Sequence, residues 1–208
     1  MSSRRARDQA RHDVHAALKQ AIAEFEARTS AELVISIRPR SGEYLHLNIE
    51  LGLLAGLLCL AYLLFGEPTF DLHWFLVIPV LAGLCLGVAA AHPVLQRLLV
   101  DPRRRRRDVL TAARATFVEL GVSNTRQRTG ILLYISLAER DLVLVGDVGV
   151  RRAVPEEPLL AAEEALRRAL PRGLAALPAA LPPLGELCGE CLPRAHDDVD
   201  ELPDEVHR

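Results

Sequence analysis

Two long uncharged stretches fill the middle of this sequence, Leu51–Gly66 (LGLLAGLLCLAYLLFG) and Trp74–Ala91 (WFLVIPVLAGLCLGVAAA). Crossing a hydrocarbon core about 30 Å thick takes roughly 20 helical residues. Extending the first stretch back to Leu47, with Glu50 near the boundary, and running the second on past His92 supplies that length. The sequence therefore predicts a transmembrane hairpin over 47–100, with spans at about 47–66 and 74–94. Pro79 falls in the first turns of the second span, where a missing backbone donor is best tolerated. This clustering also reconciles 50% hydrophobic residues with 25% charged ones in one chain.

The seven residues joining the spans, EPTFDLH, carry two acids and no lysine or arginine, whereas Arg38, Arg40, Arg97 and the run Arg103–Arg107 flank the hairpin outside. By the positive-inside rule both flanks, and with them both termini, are cytoplasmic in a two-pass protein of a bacterial inner (plasma) membrane. Arg103, Arg104, Arg105, Arg106 and Arg107 then read as an orientation signal at the membrane surface, each basic residue contributing about 1 kcal/mol against anionic headgroups. A nucleic-acid partner is not expected. No aromatic side chains interleave with the arginines to stack bases, and 25 Lys+Arg are balanced by 27 Asp+Glu. The opening MSSRRARDQARHDVHA has no apolar core, so no signal peptide is expected.

Neither flank can bury its own apolar faces. The first part, 8–44, offers one helix with Val14, Leu18, Ile22 and Phe25 on a stripe, and one β-branched strand, ELVISI from Glu32. Its partners follow the arginines in 101–192: a helix with Leu110, Ala113, Phe117 and Leu120 on one face and Gly121 as its stop, strands TGILLYISL (Thr129–Leu137) and DLVLVGDVGV (Asp141–Val150), and a further helix, PLLAAEEALRRAL. ILLYI hardly alternates, as expected of a strand covered on both faces. Pro178, Pro182 and Pro183 rule out one continuous helix beyond that point, and 193–208 reads as an acidic tail. The expectation is one α/β domain interrupted by the hairpin.

The order helix, strand, helix, strand, strand, helix, carried by SAELVISIRP, by ATFVELGVSNTRQRTGILLYISLAERDLVLVGDVGV and by the closing DDVDELPDEV, resembles a TPM domain. That family is named after a thylakoid lumen protein, a photosystem II repair protein and a nematode receptor-accessory protein. Its pattern of a helix ending in glycine, a Thr-Gly leading a hydrophobic strand, a charged turn and a second strand closing on Asp-x-Gly falls here on Gly121, Thr129–Gly130, Glu139–Arg140–Asp141 and Asp147–Gly149. The resemblance implies a three-layer α/β fold with a small central mixed sheet, membrane anchoring, and roles spanning assembly or repair of membrane complexes and an acid phosphatase that binds divalent cations. Two departures stand out: the anchor interrupts the domain, and the last element is broken by prolines.

Among the candidate site residues, Asp147 comes first, at a strand end where ligands of α/β folds often sit. Were their strands adjacent, Glu32 and Asp141 would add oxygen ligands for Ca²⁺ or Mg²⁺. The plainer reading makes Asp147 a turn cap, with Gly149 supplying an unusual backbone angle. Arg128 and Arg140 are candidates to pair with these carboxylates or to hold a phosphate. No phosphate loop or nucleophile elbow is present, so no catalytic residue is assigned and no resident cofactor is expected. Cys188 and Cys191 form a C-x-x-C with His196 as the nearest histidine, short of the four ligands a structural zinc needs. The function expected is non-enzymatic: binding, assembling or maintaining a membrane protein complex through the sheet end around Glu32, Arg140 and Asp147. The alternatives are a divalent-metal-dependent phosphatase and a cysteine-based redox or zinc module.

Overall fold

The structure, a computed structural model, describes residues 2–66, 71, 73–194 and 206–207. Along the chain run α1 (Ser2–Glu26), β1 (Glu32–Arg38), α2 (Leu45–Phe65), α3 (Trp74–Ala90), α4 (Pro93–Leu99), α5 (Pro102–Glu119), β2 (Gly130–Ser136), β3 (Asp141–Gly146), α6 (Val148–Ala153), α7 (Glu156–Ala169), three 3-10 turns, α8 (Pro182–Cys191) and β4 (Val206–His207). They fall into two compact units, residues 1–41 with 106–208, and residues 42–105.

The first unit is a mixed α/β structure around a four-stranded sheet in the order β3-β2-β1-β4. β1 pairs parallel with β2 along its whole length, from Glu32 opposite Gly130 to Arg38 opposite Ser136. β3 returns antiparallel, with Asp141 opposite Ser136 and Gly146 opposite Ile131. Two residues of β4 pair parallel with Ile35 and Ser36 of β1. Every residue of β2 is buried, as its unbroken apolar run leads one to expect. Odd-numbered residues of β1 and β2 face α1, α7 and α8, where Leu18, Ile22, Phe25, Leu33, Ile35, Leu133, Leu166 and Leu184 share one core. Even-numbered ones face α5, packing Val34, Leu132 and Tyr134 against Val109, Ala113 and Phe117. The α1 stripe lies where its spacing puts it.

Three expected boundaries are corrected. The strand anticipated over Asp141–Val150 stops at Gly146, because Asp147 caps a new helix by accepting the Val148 N–H at 2.7 Å. α5 begins at Pro102, so the five arginines lie on a helix; Asp101 caps it, its Oδ1 accepting the Arg103 N–H at 2.7 Å. The second apolar helix, expected to reach residue 94, ends at Ala90: Pro93 opens α4, whose first turn is capped by His92 through its Nδ1 at 3.4 Å from the Val94 N. The acidic run Asp197–Glu205 and most of the loop joining the two apolar helices lie outside the described residues.

Within residues 42–105, α2 and α3 pack with their backbones in contact. A methyl group at Gly52 would stand 2.7 Å from the Gly83 carbonyl oxygen, and one at Gly83 would stand 2.7 Å from that of Gly52. Gly56 faces Pro79 and Gly87 faces Asn48 in the same seam. Of the described helices, α2 is long and apolar enough to cross a membrane; α3 is shorter, at 17 residues.

Arg106 corrects a second expectation. It was expected at a membrane surface, but its guanidinium is taken up by the β3 edge: Nη1 donates to the Leu142 carbonyl at 2.6 Å and to Asp141 at 3.1 Å, and Nη2 pairs with Glu163. Glu163 accepts the outward Leu144 N–H at 2.9 Å and also pairs with Arg167, which reaches Asp141 at 3.0 Å. Donor and acceptor groups that an exposed edge strand would offer to another chain are thereby occupied by side chains. Breaking a buried charge pair by removing one partner costs about 3–5 kcal/mol, while exposed pairs contribute about 0–1 kcal/mol. Glu163, whose side chain is 8% exposed, and Arg168, 76% exposed on Glu164, form a matched test. Glu163→Ala is expected to lower unfolding free energy by about 3 kcal/mol, and Arg168→Ala by less than about 0.5 kcal/mol, by equilibrium denaturation.

Candidate functional site

The parallel pairing places Glu32 and Gly130 side by side where β1 and β2 begin, and the antiparallel return brings Asp147 to the same end, its N–H donating to the Gly130 carbonyl at 2.9 Å. Glu32 and Asp147 are both buried, at 7% and 3% exposure. They flank β2, roughly 10 Å apart by the spacing of strands. A loop over residues 121–129 closes across this end. Thr125 accepts the Thr129 N–H on its Oγ1 at 2.9 Å, and the Thr129 hydroxyl donates to the Ser30 carbonyl at 3.0 Å.

Arg128 is the pivot of that loop. It sits at φ 59°, a left-handed conformation uncommon for a residue with a Cβ. The conformation turns its guanidinium onto Asp147: Nη2 donates to Oδ1 at 3.3 Å, and Nε lies 2.8 Å from Oδ2 as a charge contact whose angle falls short of a hydrogen bond. Asp147 is nearly sealed while the Arg128 side chain is 55% exposed, so the buried carboxylate holds a cation at the surface in one orientation. Gly149 has a different role from the one its sequence suggests. Its φ is not positive; it is glycine because its Cα rests against the carbonyl oxygens of Gln127 and Arg128, and its N–H donates to the Arg128 carbonyl at 2.9 Å.

Asp141 and Arg140 do not belong to this site. β2 separates β1 from β3, and β3 runs antiparallel, so Asp141 begins at the far sheet end, opposite Ser136. Arg140 is exposed in the β2–β3 turn at that same far end, at φ 52°. The expected convergence of Glu32, Asp141 and Asp147 is thus replaced by a pair, Glu32 and Asp147. Among the described residues no group of three or more His, Cys, Asp or Glu stands close enough to share a metal ion.

A second cluster, at the far end, escaped sequence reading. Ser41 donates its hydroxyl to Ser136 at 2.8 Å, and Ser136 donates to Glu139. Having spent its one proton, the Ser41 oxygen accepts from the Tyr134 hydroxyl at 2.9 Å. The Ser41 N–H also donates to Glu139, at 3.2 Å. Burial pushes the Tyr134 hydroxyl above its ordinary pKa, against the Ser41 hydrogen bond and the Arg38 charge, with Glu139 adding to the rise. This chain of hydroxyls ending on a buried carboxylate ties the exit of β1 to the β2–β3 turn. No spacing in the sequence signals it, because Ser41 lies 93 to 98 residues from the other three and each is unremarkable singly.

No family model matches this chain, and no curated protein matches it. Among solved structures it is similar to the NMR structure of BA42 protein from the psychrophilic bacterium Bizionia argentinensis, with a TM-score of 0.58 over 94% of this chain and 92% of that one, at 17% identity. At that identity the likeness is one of fold.

The cysteine pair is placed on α8, with Cys188 fully buried in the core under α1. Burial, with a smaller contribution from Cys191, pushes the Cys188 thiol up to about 12. A thiol held neutral in this way is a poor nucleophile. Cys188 is expected to resist maleimide at neutral pH until the protein is unfolded; labelling of the native protein at the rate of an exposed thiol would contradict this packing. The sign follows from linkage. Because folding raises this pKa, the stability tied to Cys188 is full below about 9 and is lost as pH climbs toward about 12.

Proposed function

We propose that this chain is a two-pass membrane protein, of the inner membrane of a bacterium, in which the α/β unit is held at the cytoplasmic surface and acts by binding a membrane protein complex. The observation that carries the anchor is the distribution of apolar surface. Among the described residues, every exposed large apolar side chain apart from Val118, Leu137, Val148 and Leu160 lies between Leu45 and Leu99. A contiguous apolar surface of this extent is a poor solute in water, and a bilayer is the solvent it suits. At 1.5 Å per residue, α3 rises about 26 Å, inside the range in which helices cross. The glycine contacts of Gly52 with Gly83 are the close backbone approach by which helices associate in lipid, where no hydrophobic force drives them together. The resemblance of the α/β unit to TPM domains agrees with a role in assembling or maintaining such a complex.

The surface assigned to the partner is the 121–129 loop with Arg128 held on Asp147. A fixed, half-exposed cation on a rigid sheet end suits an acidic group on a neighbouring membrane protein. The alternative, a divalent-metal phosphatase, would draw on Glu32 and Asp147; retention of stoichiometric divalent metal with hydrolysis of a phosphate monoester by the purified protein would establish it instead. Two measurements test the binding reading. Asp71→Cys is expected to react with an impermeant maleimide from outside the cell and Arg40→Cys only after permeabilisation, each compared with the parent chain; the reverse pattern would overturn the topology. Crosslinking in native membranes is expected to capture a stoichiometric partner that Arg128→Ala loses while keeping the melting temperature of an exposed-site control, and that Asp147→Ala loses together with some stability, since it also removes the cap of α6. Capture unchanged by both substitutions would remove the sheet end from the role.

A further inference from the structure

We propose that the groove between α2 and α3 holds one acyl chain of an anionic phospholipid, with the lipid phosphate on Arg104 and His46; this rests on the membrane reading above. The groove encloses about 680 Å³ and runs from Leu45 and Ala91 at one end to Leu60 and Pro79 at the other. Sixteen residues of α2 span it, about 22 Å at 1.5 Å per residue. That exceeds the thickness of one leaflet, about 15 Å or half the hydrocarbon core. Its walls are leucine and valine side chains such as Leu53, Leu57, Leu84 and Val88. Those four are exposed, so the walls stand open to whatever lies alongside the hairpin.

The occupant is chosen by what stands at the Leu45 end. There the Arg104 guanidinium meets the His46 ring at 2.7 Å, Nη2 donating to Nε2, which requires a neutral imidazole protonated on Nδ1. Both side chains are exposed, and Arg103 adjoins Arg104 in sequence. Among the described residues neither the Arg103 nor the Arg104 guanidinium forms an ion pair; the Asp101 carboxylate beside them accepts the Arg103 backbone N–H. The polar pair Gln96 and Asn48, with Nε2 donating to Oδ1 at 3.5 Å, marks the same end as the one fit for a polar group. An apolar slot with a cationic mouth whose guanidinium groups form no ion pair is complementary to a single amphiphile: an acyl chain below and a phosphate above, the latter held by charge-assisted hydrogen bonds. A second copy of this chain fits less well. Sharing one topology, two copies would bring their arginine clusters to the same depth, where like charges repel.

The test uses the full chain, reconstituted in nanodiscs of phosphatidylcholine with or without phosphatidylglycerol and then transferred to detergent for native mass spectrometry. The parent protein is expected to retain one phosphatidylglycerol and no phosphatidylcholine. Retention should fall at least tenfold in Arg104→Gln with His46→Gln, which removes the phosphate site, and in Leu84→Trp, which fills the groove from an exposed wall position. Arg114→Gln, an exposed arginine elsewhere on α5, should retain lipid like the parent. Equal retention of both lipids, retention unaffected by the two groove variants, or a lipid-free dimer would each overturn the proposal. Failure of the parent protein to enter either nanodisc would instead overturn the membrane reading itself. Entry without retained lipid sinks the groove alone.

Discussion

The parallel pairing of β1 with β2 is the interaction on which everything else in the α/β unit depends. β1 has α1 beside it; among the described residues β4 meets it over two positions, whereas β2 meets it over seven. That partner lies beyond residues 42–105, so the unit cannot form until the chain on either side of the insertion is brought together. Loop closure makes this affordable, since each doubling of a flexible loop adds only about 0.6 kcal/mol. The insertion is thus set by what residues 42–105 do, not by what the sheet tolerates. Once paired, β2 is covered on both faces, and the two cores, under α1, α7 and α8 and under α5, form on its odd and even side chains.

The chain leaves the α/β unit after Ser41 and re-enters it at Arg106, and both points are tied to the sheet end where β1 and β2 finish. Ser41 is held by Tyr134, Ser136 and Glu139, and Arg106 by Asp141, Glu163 and the Leu142 carbonyl. Two buried carboxylates, Glu139 and Glu163, anchor the two crossing points. The opposite end carries Glu32, Asp147 and Arg128, so the surface proposed for binding and the points of attachment are divided between the two ends of one small sheet. Short as it is, the sheet separates these tasks because β1 and β2 are parallel and both crossing points lie where they finish.

Much of this was legible in the sequence, and the omissions have physical causes. The α1 stripe and the all-buried β2 followed from periodicity because burial on one face or two writes itself directly into residue choice. The Asp147–Arg128 pairing was anticipated as one option among several. Arg106 was not separable from its four neighbours, since a run of identical residues carries no periodicity; only the helix start at Asp101–Pro102 fixes which of them turns inward. Asp147 followed by Arg151 and Arg152 carries a helix's cap and its basic last turn, yet the valines between them imitate a strand. The left-handed turns at Arg128 and Arg140 had no signal at all, arginine being a poor advertisement for positive φ. Placing Asp141 beside Glu32 failed on topology: strand order and direction are not encoded in any one strand.

The central claim is that the α/β unit is a self-sufficient fold interrupted by an apolar insertion, and excising the insertion tests it most directly. Residues 43–104 would be replaced by a short glycine-serine linker and the product studied in water without detergent. The account predicts a soluble protein that unfolds in a single cooperative transition and keeps Cys188 closed to maleimide until that transition. A product that aggregates, or melts without cooperativity, would show that the insertion is part of the fold and would contradict the account.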